Sequence, residues 1–400
     1  MKRAKMLLVV ILSLLLVGCW DQQEITALAS ISGLGFDVGS YAHTMRISVL
    51  TSPPQPFGGG GGGGGSRLRV ITVEAASFTE GITLLQGHLR REPFFLHLGF
   101  VVFGEELAKS GLDGVLSALQ GRTTIRGSVP VFVAQQTAEE TLKARSGGGH
   151  APGEDVADLR DNFATAPLGR HVSIHEVRNT LLALGSELTL PILELAPLRL
   201  QAGDETPATG VGVAGEQLHE VFVRRMAVFS RDRWVADLDQ YLVQTFVMLK
   251  GDTRVGSATI VDPADPTSHM GLTIVNFSAR FDIKSGEETV EITISPRVRA
   301  VVREVTGTYS LRDRGFAPIA MNLEQDIDRQ VQQVVAFLQE NQADALGFGH
   351  MLRRSNPTAW SKLENRWSEV FPAMTVRVNT EVKIDGTAMV ARFFEIKRED

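Results

Sequence analysis

The chain has 400 residues, 43% of them hydrophobic, and carries 40 Lys+Arg against 46 Asp+Glu for a formal charge of −6. That acidic balance supplies no overall field for nucleic acid or anionic lipid, and a single cysteine excludes any intrachain disulfide. The length suits two or three domains with ordinary apolar cores.

Lys2, Arg3 and Lys5 precede an apolar run from Met6 to Val17 that only Ser13 interrupts. A spanning helix needs roughly 20 apolar residues, so this shorter run reads as the core of a signal peptide covering residues 1–18. Leu16-Val17-Gly18-Cys19 has the form of a bacterial lipobox. Small residues before the cysteine let a peptidase take the backbone extended, and the thiol of Cys19 accepts a diacylglyceryl group. The alternative is an incidental cysteine behind an uncleaved anchor. Cleavage removes three cations and leaves 37 Lys+Arg against 46 acids, a formal charge of −9. Attachment then rests on the lipid: at ~0.8 kcal/mol per buried methylene, two acyl chains hold stably where one is marginal. No later apolar stretch is long enough to span, so the body is expected outside the bilayer, on its outer side.

Thr44 to Leu50 reads as a strand, and Pro53, Pro54, Pro56 and the eight glycines Gly58 to Gly65 as a flexible loop. No Gly-Lys-Ser/Thr closes that run, so it lacks the chemistry of a phosphate loop. Ser77 with Glu80 is a capping box for a helix toward Leu89. Phe94 to Phe103 reads as a buried strand, Gly111 to Leu119 as a helix bearing Leu112, Val115, Leu116 and Leu119, and Val129 to Ala134 as a strand. Thr137 with Glu140 caps the next helix, and Ser146 to Gly149 marks a loop. Strand and helix alternate, which predicts an α/β layer structure. Ser173 with Glu176 is a further capping box, with Val172 and Val177 as its hydrophobic staple, for a helix ending near Gly185. That cap leaves His171 outside the helix, so His171 and His175 need not share a face as metal ligands would, and no metal is expected.

Pro191 and Pro197 bracket an extended stretch, and Gln201 to Pro207 reads as a linker. Strands are expected between Leu218 and Asp237 with a turn at Ser230 to Arg233, then a helix from Asp239 to Lys250. Asp262-Pro263-Ala264-Asp265-Pro266 reads as a second linker. Leu272 to Ile283 and Val290 to Val305 read as long antiparallel strands. Asn322 with Gln325 is expected to cap a helix bearing Leu323, Ile327, Val331, Val334, Val335 and Leu338. Asn356-Pro357 starts another, with Trp360, Leu363, Trp367 and Phe371 as a core-facing stripe. Met374 to Ile384 alternates like a strand ending at the turn dipeptide Asp385-Gly386. The resulting division is 1–18 signal peptide, 19–200 N-terminal mixed α/β domain, 201–266 small middle domain, and 267–400 antiparallel sheet plus helices.

No HExxH, paired-cysteine or G-x-S-x-G motif is present, and Glu105-Glu106 falls where a helix start favours negative charge. No catalytic, metal or cofactor-binding residue is assigned; Cys19, carrying lipid, is the one site.

With those segments in order, the chain resembles the Ger(x)C lipoproteins, the C subunits of spore nutrient germinant receptors. Cys19-Trp20-Asp21 with Glu24-Ile25 is similar to the mature N-terminus of that family, and Ile31 to Asp37 to its first strand. His97 to Ala108 and Ala227-Val228-Phe229 with Trp234-Val235 match further segments. Asp344-Ala345-Leu346-Gly347-Phe348-Gly349, then Pro357, Trp360, Trp367, Phe371 and the strand ending Lys383-Ile384-Asp385-Gly386, resemble its C-terminal signature. The glycine run departs from the family where a variable loop is expected. The resemblance implies three successive mixed α/β domains at the outer face of the inner spore membrane. It also implies integral membrane A and B subunits as partners and no catalytic role. The competing readings are a solute-binding lipoprotein, which needs two similar lobes around a cleft, and a lipid-anchored hydrolase, which lacks a nucleophile constellation.

Overall fold

The computed structural model describes residues 27–51, 69–121, 124–144, 152–163, 165–197, 219–262, 264–286, 289–307 and 309–387. The signal peptide, Cys19, the glycine run, the 146–149 loop and the 201–207 linker lie outside them. Helices and strands are mixed throughout, and the strands form two sheets.

In the first sheet β1 (Leu28–Val38), β2 (Met45–Thr51) and β3 (Arg69–Ala75) run antiparallel. After α1 (Phe78–Leu89), β4 (Glu92–Phe94) and β5 (Phe100–Phe103) both lie parallel to β1. The single strand expected from Phe94 to Phe103 is therefore two. Phe95 and Leu98 between them are buried, so the run is apolar because a turn also enters the core. α2 (Glu105–Ser110) and α3 (Asp113–Gln120) lead to β6 (Val131–Ala134). The helices α4 (Ala138–Lys143), α5 (Pro152–Asn162) and α6 (Ile174–Leu182) lead to β7 (Thr189–Pro197). β1, β5, β6 and β7 are successive parallel neighbours. β8 (His219–Phe222) and β9 (Met226–Ser230) pair antiparallel with β7, and β10 (Arg233–Leu238) with β9.

Parallel strands need helices on both faces. Phe36 packs toward α1, its ring 5.4 Å from that of Phe78. The other face of β1 presents Gly33 and Gly35 to α4, where a Cβ on Gly35 would stand 2.9 Å from that of Ala138. Asp37, at the end of the same strand, accepts the amides of Ala138 and Glu139 at 2.7 and 3.0 Å and so closes the start of α4. Burial pushes its carboxyl above the ordinary range, against the pull of those amides.

Of the predicted capping boxes one is complete, and two keep only the half in which the serine accepts an amide. Thr137 and Glu140 form the full reciprocal box, and Ser173 accepts from the Glu176 amide with Val172 and Val177 buried beside it. Ser77 accepts from the Glu80 amide, but the Glu80 carboxylate takes the Ala76 amide, one residue ahead of the cap.

The second sheet follows α7 (Gln240–Lys250), whose first amides are held by Asp239. β11 (Gly256–Asp262), β12 (Asp265–Ser285) and β13 (Val290–Val305) are antiparallel. The expected linker at Asp262–Pro266 is a hairpin turn between β11 and β12, so the boundary placed at 266/267 falls inside a sheet. The Asp262 carboxylate accepts the Ala264 amide at 3.0 Å and pairs with Arg314, a turn device rather than a spacer.

α8 (Leu311–Arg314) precedes α9 (Ala317–Glu340), which covers the sheet together with α7. Asn322 is not its cap. Ile319 is buried on the same face as Leu323 and Ile327, and the helix begins earlier with a proline in its first turn. After α10 (Phe348–Ser355) the aromatic stripe is buried as expected, but it is broken up: Trp360 and Leu363 lie on α11 (Pro357–Leu363), and Trp367 opens α12 (Trp367–Val370) with Phe371 just past it, a 3₁₀ turn separating the two helices. The terminal strand is also two: β14 (Thr375–Val378) and β15 (Glu381–Thr387) lie one after the other, parallel to β13. Asp385-Gly386 sits inside β15 beside an irregularity in the pairing, with Asp385 held by Arg299, instead of ending the strand in a turn. Among the described residues no helix is long and apolar enough to cross a membrane.

Candidate functional site

Four buried or half-buried ionisable side chains, Arg170, Glu187, Lys250 and Asp344, gather where the two sheets meet. The segment after α9 carries Asp344, which is fully enclosed. Its Oδ1 accepts the amides of Gly347 and Phe348, each at 2.8 Å. Its Oδ2 accepts the Gly349 amide at 2.8 Å and the Trp367 indole N–H at 3.1 Å. Burial pushes this carboxyl above the ordinary range while the four donors act the other way. The start of α10 is thus capped by a residue four positions before it, and the cap also holds the Trp367 indole of α12.

The same segment is tied to the first sheet through its backbone. The Asp344 carbonyl accepts the Glu187 amide at 2.9 Å, and the Gly185 carbonyl accepts the His350 amide at 2.8 Å. Gly185, at φ +77°, and Gly349 lie against each other: a Cβ on Gly349 would sit 2.6 Å from the Gly185 Cα. Trp360 and Trp367 pack edge to face behind them, centroids 5.2 Å apart.

Charged groups line the rest of the junction. Arg170, 8% exposed, donates from Nε to Asp252 at 2.7 Å and from one terminal nitrogen to Glu176 at 2.7 Å. Burial opposes its charge, yet Asp252 and Glu176 hold its pKa above the ordinary arginine value. Lys250 donates to the Ala345 carbonyl at 3.1 Å. Burial and the nearby Arg170 push its pKa down. Burial raises Glu187 to about 7, although its carboxylate accepts the Arg231 amide at 2.6 Å. Beside these groups opens a cleft of about 440 Å³ between α7, α10 and β12.

Cys19, the site residue read from sequence, lies outside the described residues. His171 precedes α6, and the His175 ring is engaged by Arg178 and Asn179 at 3.1 and 2.9 Å. Glu105 and Glu106 occupy the first turn of α2, as the dipole favours. Sequence reasoning missed the joining roles of Arg170, Glu187, Lys250 and Asp252. Arg170 and Asp252 are 82 residues apart, and no local pattern marks such a pair. Asp344 had a local signal, an aspartate three residues before a glycine that opens a helix.

Comparison with known proteins places these segments in a family context. Residues 21–195 match the family model described as spore germination protein N-terminal domain. Residues 224–388 match the one described as spore germination B3/GerAC like, C-terminal. Spore germination protein KC of Bacillus subtilis (strain 168) is 27% identical over 391 residues, covering 94% of this chain and 93% of the relative. The crystal structure of the GerBC protein superposes with a TM-score of 0.52 over 88% of this chain and 97% of that one, at 16% identity, and so shares the fold.

Two outcomes follow from the junction. Asp344→Ala leaves three amides and an indole N–H without their acceptor and is expected to lower unfolding free energy by about 3 kcal/mol or more. Urea unfolding reads this, and a loss below about 0.5 kcal/mol would contradict the capping role. Glu187, with a pKa near 7 in the fold against an ordinary 4.5, keeps its proton in the folded state over a range where the unfolded chain has released it. Stability is therefore intact at and below the lower value and is lost as pH rises through the upper one. Glu187→Gln keeps an acceptor for the Arg231 amide and should flatten the fall in thermal midpoint between about pH 5 and pH 8. An unchanged slope would assign the pH dependence to other groups.

Proposed function

The chain belongs to the GerAC-like family of spore germination proteins, and on that premise we propose that it is a lipid-anchored, non-enzymatic C subunit of a nutrient germinant receptor. The observation that carries the reading is the collinear match of both family models, one beginning at residue 21, just after the lipobox cysteine Cys19. In this reading the signal peptide delivers the chain across the membrane. Diacylglyceryl on Cys19 then holds the folded body at the outer face of the inner spore membrane, beside integral A and B subunits. No cofactor is called for beyond that covalent lipid.

The physical argument for an anchor is independent of the family. The mature chain is acidic and gains nothing from the surface potential of anionic lipid. Two acyl chains supply the attachment that electrostatics does not. The competing solute-binding reading asks for two similar lobes. The two sheets here differ in strand order and in the balance of parallel and antiparallel pairing, so nothing in the geometry favours it.

Cys19→Ala should release the body from spore membranes or leave an unprocessed precursor, read by fractionation and mass. Normal processing with membrane retention would sink the anchor argument. Spores lacking the gene should lose dipicolinate release to at least one nutrient while calcium dipicolinate still germinates them. An intact response to every nutrient, in a strain stripped of other receptors, would remove the receptor-subunit reading.

A further inference from the structure

The cleft beside the junction is floored by apolar side chains and rimmed by cations. Met248 of α7, Phe277 and Phe281 of β12, and Met351 of α10 contribute the apolar wall. Lys250, Arg254, His350 and Arg354 contribute the polar one, and no Asp or Glu lines the cleft. Elsewhere on the same unit some exposed arginines hold carboxylates, as Arg297 does Glu381, Arg299 does Asp385 and Arg377 does Glu291, while Arg280, Arg312 and Arg353, away from the cleft, hold none among the described residues. Among the described residues, Arg254 and Arg354 have no such partner. Lys250 spends one of its three donors on the Ala345 carbonyl.

Lys250 already feels Asp252, Glu176 and Asp344 behind the cleft wall, whereas Arg254 and Arg354 hold no carboxylate, and like charges gathered at one concavity favour a visiting anion. β11 pairs with β12 only as far as Ile274, so among the described residues that edge of β12 carries no strand where Phe277 to Phe281 border the cleft, while β13 pairs its other edge. A volume of about 440 Å³ lies in the range of small-molecule sites and is too small for a diacyl lipid.

We propose that this cleft binds a soluble organic anion, a carboxylate or phosphate carried on an apolar body, with Arg254 and Arg354 holding the anion and Phe277, Phe281 and Met351 the body. Guanidinium groups suit the role because their planar fork matches both oxyanions. The proposal stands on the cleft alone and does not depend on the receptor assignment.

The test is calorimetric titration of the full lipidated chain in non-ionic detergent. The probes are phenylphosphate and phenylacetate, with benzyl alcohol and inorganic phosphate as controls. Both aromatic anions should bind saturably at one site, about tenfold or more tighter than either control. Arg254→Gln combined with Arg354→Gln, two exposed positions outside the core, should weaken them by about tenfold or more and leave the thermal midpoint unchanged. Absence of saturable binding up to about 10 mM would overturn the proposal. So would equal affinity for benzyl alcohol or for inorganic phosphate, or affinity unchanged in the double variant. Displacement of phenylphosphate by short-chain phosphatidylglycerol, with no effect of its neutral phosphatidylcholine counterpart, would overturn the soluble source and point to a lipid headgroup.

Discussion

A carboxylate removed from water must find donors, and at Asp344 it finds four. Three are the amides of Gly347, Phe348 and Gly349, and the fourth is the indole of Trp367. That single side chain decides where α10 starts and where α12 lies. It also fixes which carbonyls of its own segment remain free to meet the first sheet. The Asp344 carbonyl then takes the Glu187 amide, and the Ala345 carbonyl takes the Lys250 ammonium. Without the carboxylate the segment has no reason to hold the curvature that presents those carbonyls, and the two sheets lose their common hinge of backbone bonds.

The first sheet uses the same device on a smaller scale. Asp37 ends the central strand β1 and closes the start of α4 across 101 residues of sequence. In both places burial raises the carboxyl's pKa, and backbone amides offset much of that cost. Arg170 adds a third tie with its two carboxylates, one on each side of the junction. With a single cysteine in the chain, no disulfide is available to join the units. Buried charge and close glycine contact do the joining instead, and both depend on exact backbone placement.

Most elements were readable because their signals are local. The Thr137 and Ser173 caps, the α9 stripe and the paired strands at 265–305 rest on spacings of two to four residues, and the fold keeps them. The misreadings share one cause: burial decided by distant partners. The apolar run from Phe94 to Phe103 stays apolar through a turn because Phe95 and Leu98 are covered by the core. Asp262 to Pro266 carries the composition of a linker, yet β11 and β12 close it into a hairpin. Asp385-Gly386 has turn chemistry, but β13 and Arg299 hold it inside a strand. The cleft was invisible for the same reason, since α7, β12 and α10 supply its cations and its apolar wall from three separate stretches.

By itself the sequence determined a mixed α/β body, the order of its main elements, and the resemblance that the family matches support. These depend on composition, on residues within a turn of each other, or on motifs kept in order along the chain. Tertiary structure alone decided that strands on both sides of residue 200 share one sheet, that Asp344 is a cap, and that Arg170 meets Asp252. It also decided that Lys250, Arg254 and Arg354 line one cleft with Phe277 and Phe281. Each of those is a contact between residues far apart in the chain, where desolvation and charge act through space and leave no periodic trace in the order of residues.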